Sequence, residues 1–203
     1  MKYATLFCLA TTLTGCALFS KGDVPMRRYF SPDLPAATNG VARSSSELRL
    51  GRVTAGAFIG ERIMFRESEH EVGLYDDRSW TEKPDAYLRR ALSRVLFEEL
   101  GLRSVMRGAG PTLDVELISF EEVKSPRHLG RVKLAFSLRD ERVVSLQQTL
   151  SVERPIASAA PEAVAQALGE ALRDAVYELS GRVVADLAKA PGTTEPCPVA
   201  AAH

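Results

Sequence analysis

Cysteine and histidine are both scarce in this chain, three of each in 203 residues, and that scarcity excludes most metal chemistry. A zinc site needs three or four N or S ligands brought together. His70, His128 and His203 lie far apart, and none has a second ligand-type residue one helical turn away. A serine nucleophile in a Gly-x-Ser-x-Gly elbow is missing. The glycine-rich piece Arg107-Gly108-Ala109-Gly110-Pro111 lacks the lysine and helix start of a phosphate-binding loop, so it reads as a turn. Charge of either sign is not in surplus: 26 basic residues face 26 acidic ones, which offers nucleic acid no electrostatic footing. No apolar run approaches the ~20 residues that a membrane-crossing helix needs. The expectation is a chain with no catalytic residue, no metal and no cofactor.

What is present begins at the N-terminus. Lys2 is followed by the apolar stretch Tyr3 to Leu13 and then by Thr14, Gly15 and Cys16. Basic residue, short hydrophobic run and small residues closing on a cysteine is the order of a secretory signal, and Leu13-Thr14-Gly15-Cys16 resembles a bacterial lipobox. On that reading residues 1–15 are a signal peptide and Cys16 becomes the mature first residue, carrying a covalent lipid. A single acyl chain binds a membrane only marginally, whereas two or more hold it. The globular part then needs no membrane affinity of its own. Cys8 leaves with the signal and Cys16 takes the lipid, so Cys197 stands alone and an internal disulfide framework is excluded.

Residues 16–46 are rich in chain breakers, with Pro25, Pro32, Pro35, Gly40 and Ser44-Ser45-Ser46, and read as a tether. Within it residues 28–31, around Arg28-Tyr29-Phe30, suit a short edge strand before Pro32. A folded domain is expected over 47–190, and 191–203 is a low-complexity tail. Leu48, Leu50 and Val53 mark a first strand. Residues 62–66 and 71–75 form a hairpin whose turn holds a solvated His70.

Pro84 opens a helix with Leu88, Ala91, Leu92, Val95, Leu96 and Leu100 on one stripe, and Glu98 and Glu99 on its solvent side; Gly101 ends it. A three-strand meander follows. Its first strand alternates through Leu113, Val115 and Leu117, then slips phase to Ile118 and Phe120, the mark of a β-bulge. Val132 to Leu138 and Val144 to Val152 complete it, with Gln148 as the odd residue on the apolar side. Pro161 starts a second helix with Val164, Leu168, Leu172, Ala175, Val176, Leu179, Val183 and Leu187 facing inward. These elements fit an α+β two-layer sandwich, a mostly antiparallel sheet with two helices on one face.

Trp80, the single tryptophan, carries two readings: an aromatic anchor for a partner or an apolar ligand, or a ring sealing the sheet–helix core, which its size favours.

The order of these pieces resembles the auxiliary lipoprotein component of ABC-type transporters, the family that includes the lipoprotein partner of paraquat-inducible and other MCE lipid-trafficking systems. The resemblance runs over about residues 28 to 188. It rests on the lipobox, Tyr29-Phe30, Met64-Phe65-Arg66, Tyr75 and Trp80 ahead of the first helix, Leu117-Ile118-Ser119-Phe120-Glu121, and the closing alanine-rich helix. A proline–tyrosine segment common in that family is replaced here by the Gly56–Gly60 loop. The resemblance implies a non-catalytic, periplasm-facing lipoprotein working with an ABC permease, an ATPase and MCE-type subunits to move lipids or other hydrophobic cargo. Phe65, Arg66, Tyr75 and Trp80 would form its partner or ligand surface, and several copies would associate. Ala17, where enteric inner-membrane lipoproteins carry aspartate, points by the same analogy to the inner leaflet of the outer membrane. Two other classes stay open on sequence grounds: a scaffolding lipoprotein of outer-membrane or secretion machinery, and a carrier holding lipid beneath its helices.

Overall fold

A computed structural model describes residues 26–32, 46–106, 110–141 and 143–189 of the chain. The lipobox at 13–16, most of the tether, Cys197, His203 and the 191–203 tail lie outside the described residues. Eight strands and two helices follow in the order β1 (Arg28–Phe30), β2 (Glu47–Ala55), β3 (Arg62–Arg66), β4 (Val72–Trp80), α1 (Pro84–Ser93), β5 (Arg103–Ser104), β6 (Thr112–Val123), β7 (Leu129–Asp140), β8 (Val143–Pro155) and α2 (Pro161–Leu187). This is the expected α+β arrangement.

The sheet is organised around β6. One edge of that strand pairs with β7 along its whole length, and β7 pairs with β8, both antiparallel. The other edge is shared: β2 lies parallel to its first half and β3 parallel to its second half. β3 turns back antiparallel onto β4, and β1 adds parallel to β4. Thr54 to Arg66 therefore behaves as one line broken by a loop.

The phase slip in β6 is a bulge. Leu117 pairs with Leu134 and Ser119 with Lys133, leaving Ile118 between them without a counterpart. The expectation that Ile118 joins the core is corrected, since as the extra residue it turns outward, while Phe120 is buried. A second irregularity sits in β2 between Leu50 and Val53. Asp114 holds it, accepting the Arg52 backbone N–H at 2.7 Å. A Cβ on Gly51 would lie 2.3 Å from that carboxylate, so a side chain there would have to push Asp114 off the bulge.

Both helices cover one face, α1 over β2 and β6, α2 over β7 and β8. The inward stripe of α2 from Val164 to Val183 is buried as its spacing requires. At Gly130 the helix comes so close that an added Cβ would meet the Leu168 backbone nitrogen at 3.2 Å. Ile63, Leu113, Leu134, Leu168, Leu172, Val176 and their neighbours are essentially inaccessible to water. The space beneath the helices is thus filled by side chains, which argues against a lipid cavity there.

The first helix departs from expectation at its end. From Arg94 to Glu99 the turns widen into a π-helix, with Leu100 N–H donating to Val95 five residues back at 2.9 Å. The wider turn rotates the side chains that follow. Glu99, expected on the solvent side, is instead buried against α2, where the Tyr177 hydroxyl donates to it at 2.5 Å and Arg94 lies 3.2 Å away. Gly101, at φ +66°, then closes the segment in the left-handed conformation that glycine adopts freely.

Candidate functional site

The richest group of polar and aromatic side chains gathers where the ends of β3 and β6 meet the middle of β4 and the start of β7. Its origin is the adjacent pair Glu121-Glu122. Successive strand residues point to opposite faces, so two consecutive acids must send one carboxylate to each side of the sheet. Both are buried, at 1% and 4% exposure, and each has gathered its own partners.

Glu122 accepts the Tyr75 hydroxyl at 2.8 Å and lies 2.6 Å from His128 Nε2. The Tyr75 ring packs on Phe65 with centroids 4.7 Å apart. Arg78 lies over the Tyr75 ring at 4.1 Å, and the Lys124 ammonium sits 3.9 Å from the Phe65 centroid while bonding Glu67 at 2.9 Å. Phe65 faces Gly73 across the β3–β4 ladder, and its ring occupies the space a glycine side chain leaves open. Burial, and then the Glu122 carboxylate, hold the Tyr75 phenol well above the usual tyrosine range. Both effects favour the neutral hydroxyl that donates to Glu122.

On the opposite face Glu121 is clamped by Arg66, whose Nε donates at 3.1 Å, with Arg131 Nη1 at 3.6 Å. Arg131 in turn donates to Glu153 at 2.9 Å.

The four residues expected to share one surface are therefore divided. Phe65 and Tyr75 are in contact and half-buried. Arg66 belongs to the other side of the sheet and neutralises Glu121. Trp80 is 1% exposed, packed on Phe120 at 5.0 Å and edge-on to Tyr87 at 6.5 Å. It supplies no surface, which corrects the anchor reading in favour of the core reading: β4 runs on to residue 80 and delivers the ring under α1. Sequence reasoning does not single out Glu122 and Lys124, and it weighs His128 only as a metal ligand. The legible signal was the Glu-Glu pair ending an otherwise apolar strand. His70 is exposed in the β3–β4 turn, as expected.

Among the described residues no group of three or more His, Cys, Asp or Glu side chains could hold a metal ion, and no helix is long and apolar enough to cross a membrane. The cluster's resources are a buried acid, two aromatic faces and surrounding cations.

Comparison with known proteins supplies the class. The family model of the ABC-type transport auxiliary lipoprotein component matches residues 31–180, and the chain belongs to that family. Membership places it in the cell envelope, as an auxiliary rather than the ATP-hydrolysing part of a transporter. Among solved structures, a Xanthomonas campestris protein of family DUF330 is similar over 78% of this chain and 96% of its own, at 22% identity and TM-score 0.70. An uncharacterised protein is similar over 78% and 99%, at 12% identity and TM-score 0.64. A hypothetical protein of Chlamydia trachomatis covers 71% and 98%, at 10% identity and TM-score 0.53. At such identities these relate the fold alone. No curated protein matched the chain.

Proposed function

We propose that the chain is a non-catalytic accessory of an ABC transporter of the MCE type, moving lipids or other hydrophobic cargo across the envelope. The observation that carries this is the family match over residues 31–180. In this reading Cys16, behind Leu13, Thr14 and Gly15, is acylated after removal of residues 1–15. The part of the 16–46 segment ahead of β1 holds the domain off the inner leaflet of the outer membrane, facing the periplasm. The ATPase and permease supply the energy and the path. The patch formed by Phe65, Tyr75 and Lys124 is the contact surface for a transporter subunit, since half-buried aromatic rings edged by cations suit a protein interface. A filled helix–sheet interface speaks against a carrier role.

The test is affinity purification of the full-length tagged chain from its own membranes, with mass spectrometry of both partners and N-terminus. A permease, an ATPase and an MCE subunit are expected, together with a lipid-modified Cys16. The double change Phe65→Ser, Tyr75→Ser should lose the partners while keeping the lipid. Recovery of secretion or outer-membrane assembly proteins instead, or an unmodified N-terminus ahead of Cys16, would refute the reading.

A further inference from the structure

We propose that β8 is a self-pairing edge, through which two copies of this chain join antiparallel about a two-fold axis at Gln148. The inference stands on the strand alone and does not depend on the transport reading.

An exposed edge strand offers unsatisfied N–H and C=O groups to any passing strand, and proteins commonly blunt such edges by shortening them or charging them. Two of this sheet's edges are treated that way. β1 has three residues and includes Arg28; β5 has two and includes Arg103. β8 is the contrast. It runs for thirteen residues, pairs only with β7 among the described residues, and carries no charge from Val143 to Val152. Val143 and Val144 are 70% and 52% exposed at its start. The charges that follow are balanced within the molecule, Glu153 by Arg131 and Arg154 by Asp174.

The occupant is indicated by the order of residues. Val144-Ser145-Leu146-Gln147-Gln148-Thr149-Leu150-Ser151-Val152 reads the same in both directions, except that Gln147 answers Thr149. When this strand meets itself antiparallel with Gln148 opposite Gln148, Leu146 faces Leu150, Ser145 faces Ser151 and Gln147 faces Thr149. Cross-strand pairs of like kind are what stabilise a ladder, and no like charges meet. The β7–β8 ladder is regular from Leu146 onward, where Leu138 pairs with Leu146 and Phe136 with Gln148. Leu146, Gln148 and Leu150 thus share the helix-covered face with Leu138, Phe136 and Leu134. The two-fold then lays both α2 helices on the same side of one continuous sheet. Gln148 already accepts Arg182 at 2.6 Å, and Arg182 also bonds Glu178. The axis therefore brings no unbalanced charge.

The experiment is oxidative crosslinking of the full-length chain in the membranes of expressing cells, in a Cys197→Ser background that serves as the uncrosslinked control. Opposed residues of an antiparallel pair have Cα atoms about 4.5–5.5 Å apart, within disulfide range. Gln148→Cys should give a reducible band of twice the monomer mass. Thr149→Cys, whose two copies would stand about 8 Å apart, should not. In detergent-matched sedimentation the unmodified chain should run as a dimer. Gln148→Lys, which sets two like charges opposite one another at the axis, should run as a monomer that keeps the buried-indole emission of Trp80. A monomeric unmodified chain, a Gln148→Cys variant crosslinked only to a different protein, or equal crosslinking at 148 and 149 would each overturn the proposal.

Discussion

Glu122 and His128 face one another across 2.6 Å, the acid buried and the histidine side chain partly exposed. Six residues apart, they are brought together because β6 ends and β7 begins over the same patch of the sheet.

Removing the acid should be costly for a specific reason. Glu122→Ala would leave the Tyr75 hydroxyl and His128 Nε2 without their shared acceptor. A buried polar group left unsatisfied costs about 1–3 kcal/mol. Glu122→Gln keeps an acceptor oxygen and should lose less. Urea denaturation of both variants checks the ranking, and an equal loss would show that the carboxylate's charge, not its hydrogen-bond acceptance, sets the cost.

The Tyr75 phenol gives an alkaline signature. Its folded-state pKa lies above the ordinary value of 10.0, so its stabilising contribution is complete below about pH 10 and is lost as the pH rises beyond that. Tyr177 is held upward as well, first by its bond to Glu99 and then by burial. Phenolate absorbance should therefore show late-titrating tyrosines that vanish only on unfolding, and Tyr75→Phe should remove one of them.

Trp80, as the sole tryptophan, reports directly on the core. Its emission should be that of a buried indole, resistant to iodide quenching, and should shift to the red on unfolding. Trp80→Ala should cost about 3–5 kcal/mol. If iodide quenched the native emission efficiently, the packing of this ring on Phe120 and Tyr87 would be wrong.

The second helix supplies a paired comparison. Leu172→Ala should cost about 2–5 kcal/mol, because Leu172 is fully buried. Glu178→Ala, on the exposed side, should stay within about 0.5 kcal/mol. Gly130→Ala, which drives a methyl into the helix backbone, should cost about 1–3 kcal/mol by overpacking. Thermal melts that reversed the first two would displace the helix facing described here.

Periodicity made much of the fold legible. Alternation in β6 and β7 and the 3.6-residue stripe of α2 each report which side meets water, and burial is a one-body property that a residue's own chemistry declares. The bulge at Ile118 was visible as a break in that alternation. What periodicity could not convey is which residue is left over when a strand slips, and Ile118 rather than Ser119 was ejected. Glu99 was misread because a π-turn adds a residue per turn, and no local residue type announces it.

The polar cluster was less legible still. Phe65, Tyr75 and Trp80 fall to one surface only by the family resemblance, and the strand ladder separates them into surface and core. Arg66 was grouped with Phe65 as its neighbour, although consecutive strand residues look in opposite directions. Taken singly, Glu122 and Lys124 carry no local signal, and His128, weighed in the sequence only as a metal ligand, gains its role from a partner that the strand ladder supplies.

By itself the sequence determined which faces are apolar, where the two helices begin, and the self-matching run along β8, since all of these are properties of local spacing. Only the tertiary structure decided that Tyr75, Glu122 and His128 meet, that Trp80 turns inward, and that β2 and β3 share one edge of β6. Those are pairwise outcomes of strand register, and register is settled by packing between segments distant along the chain.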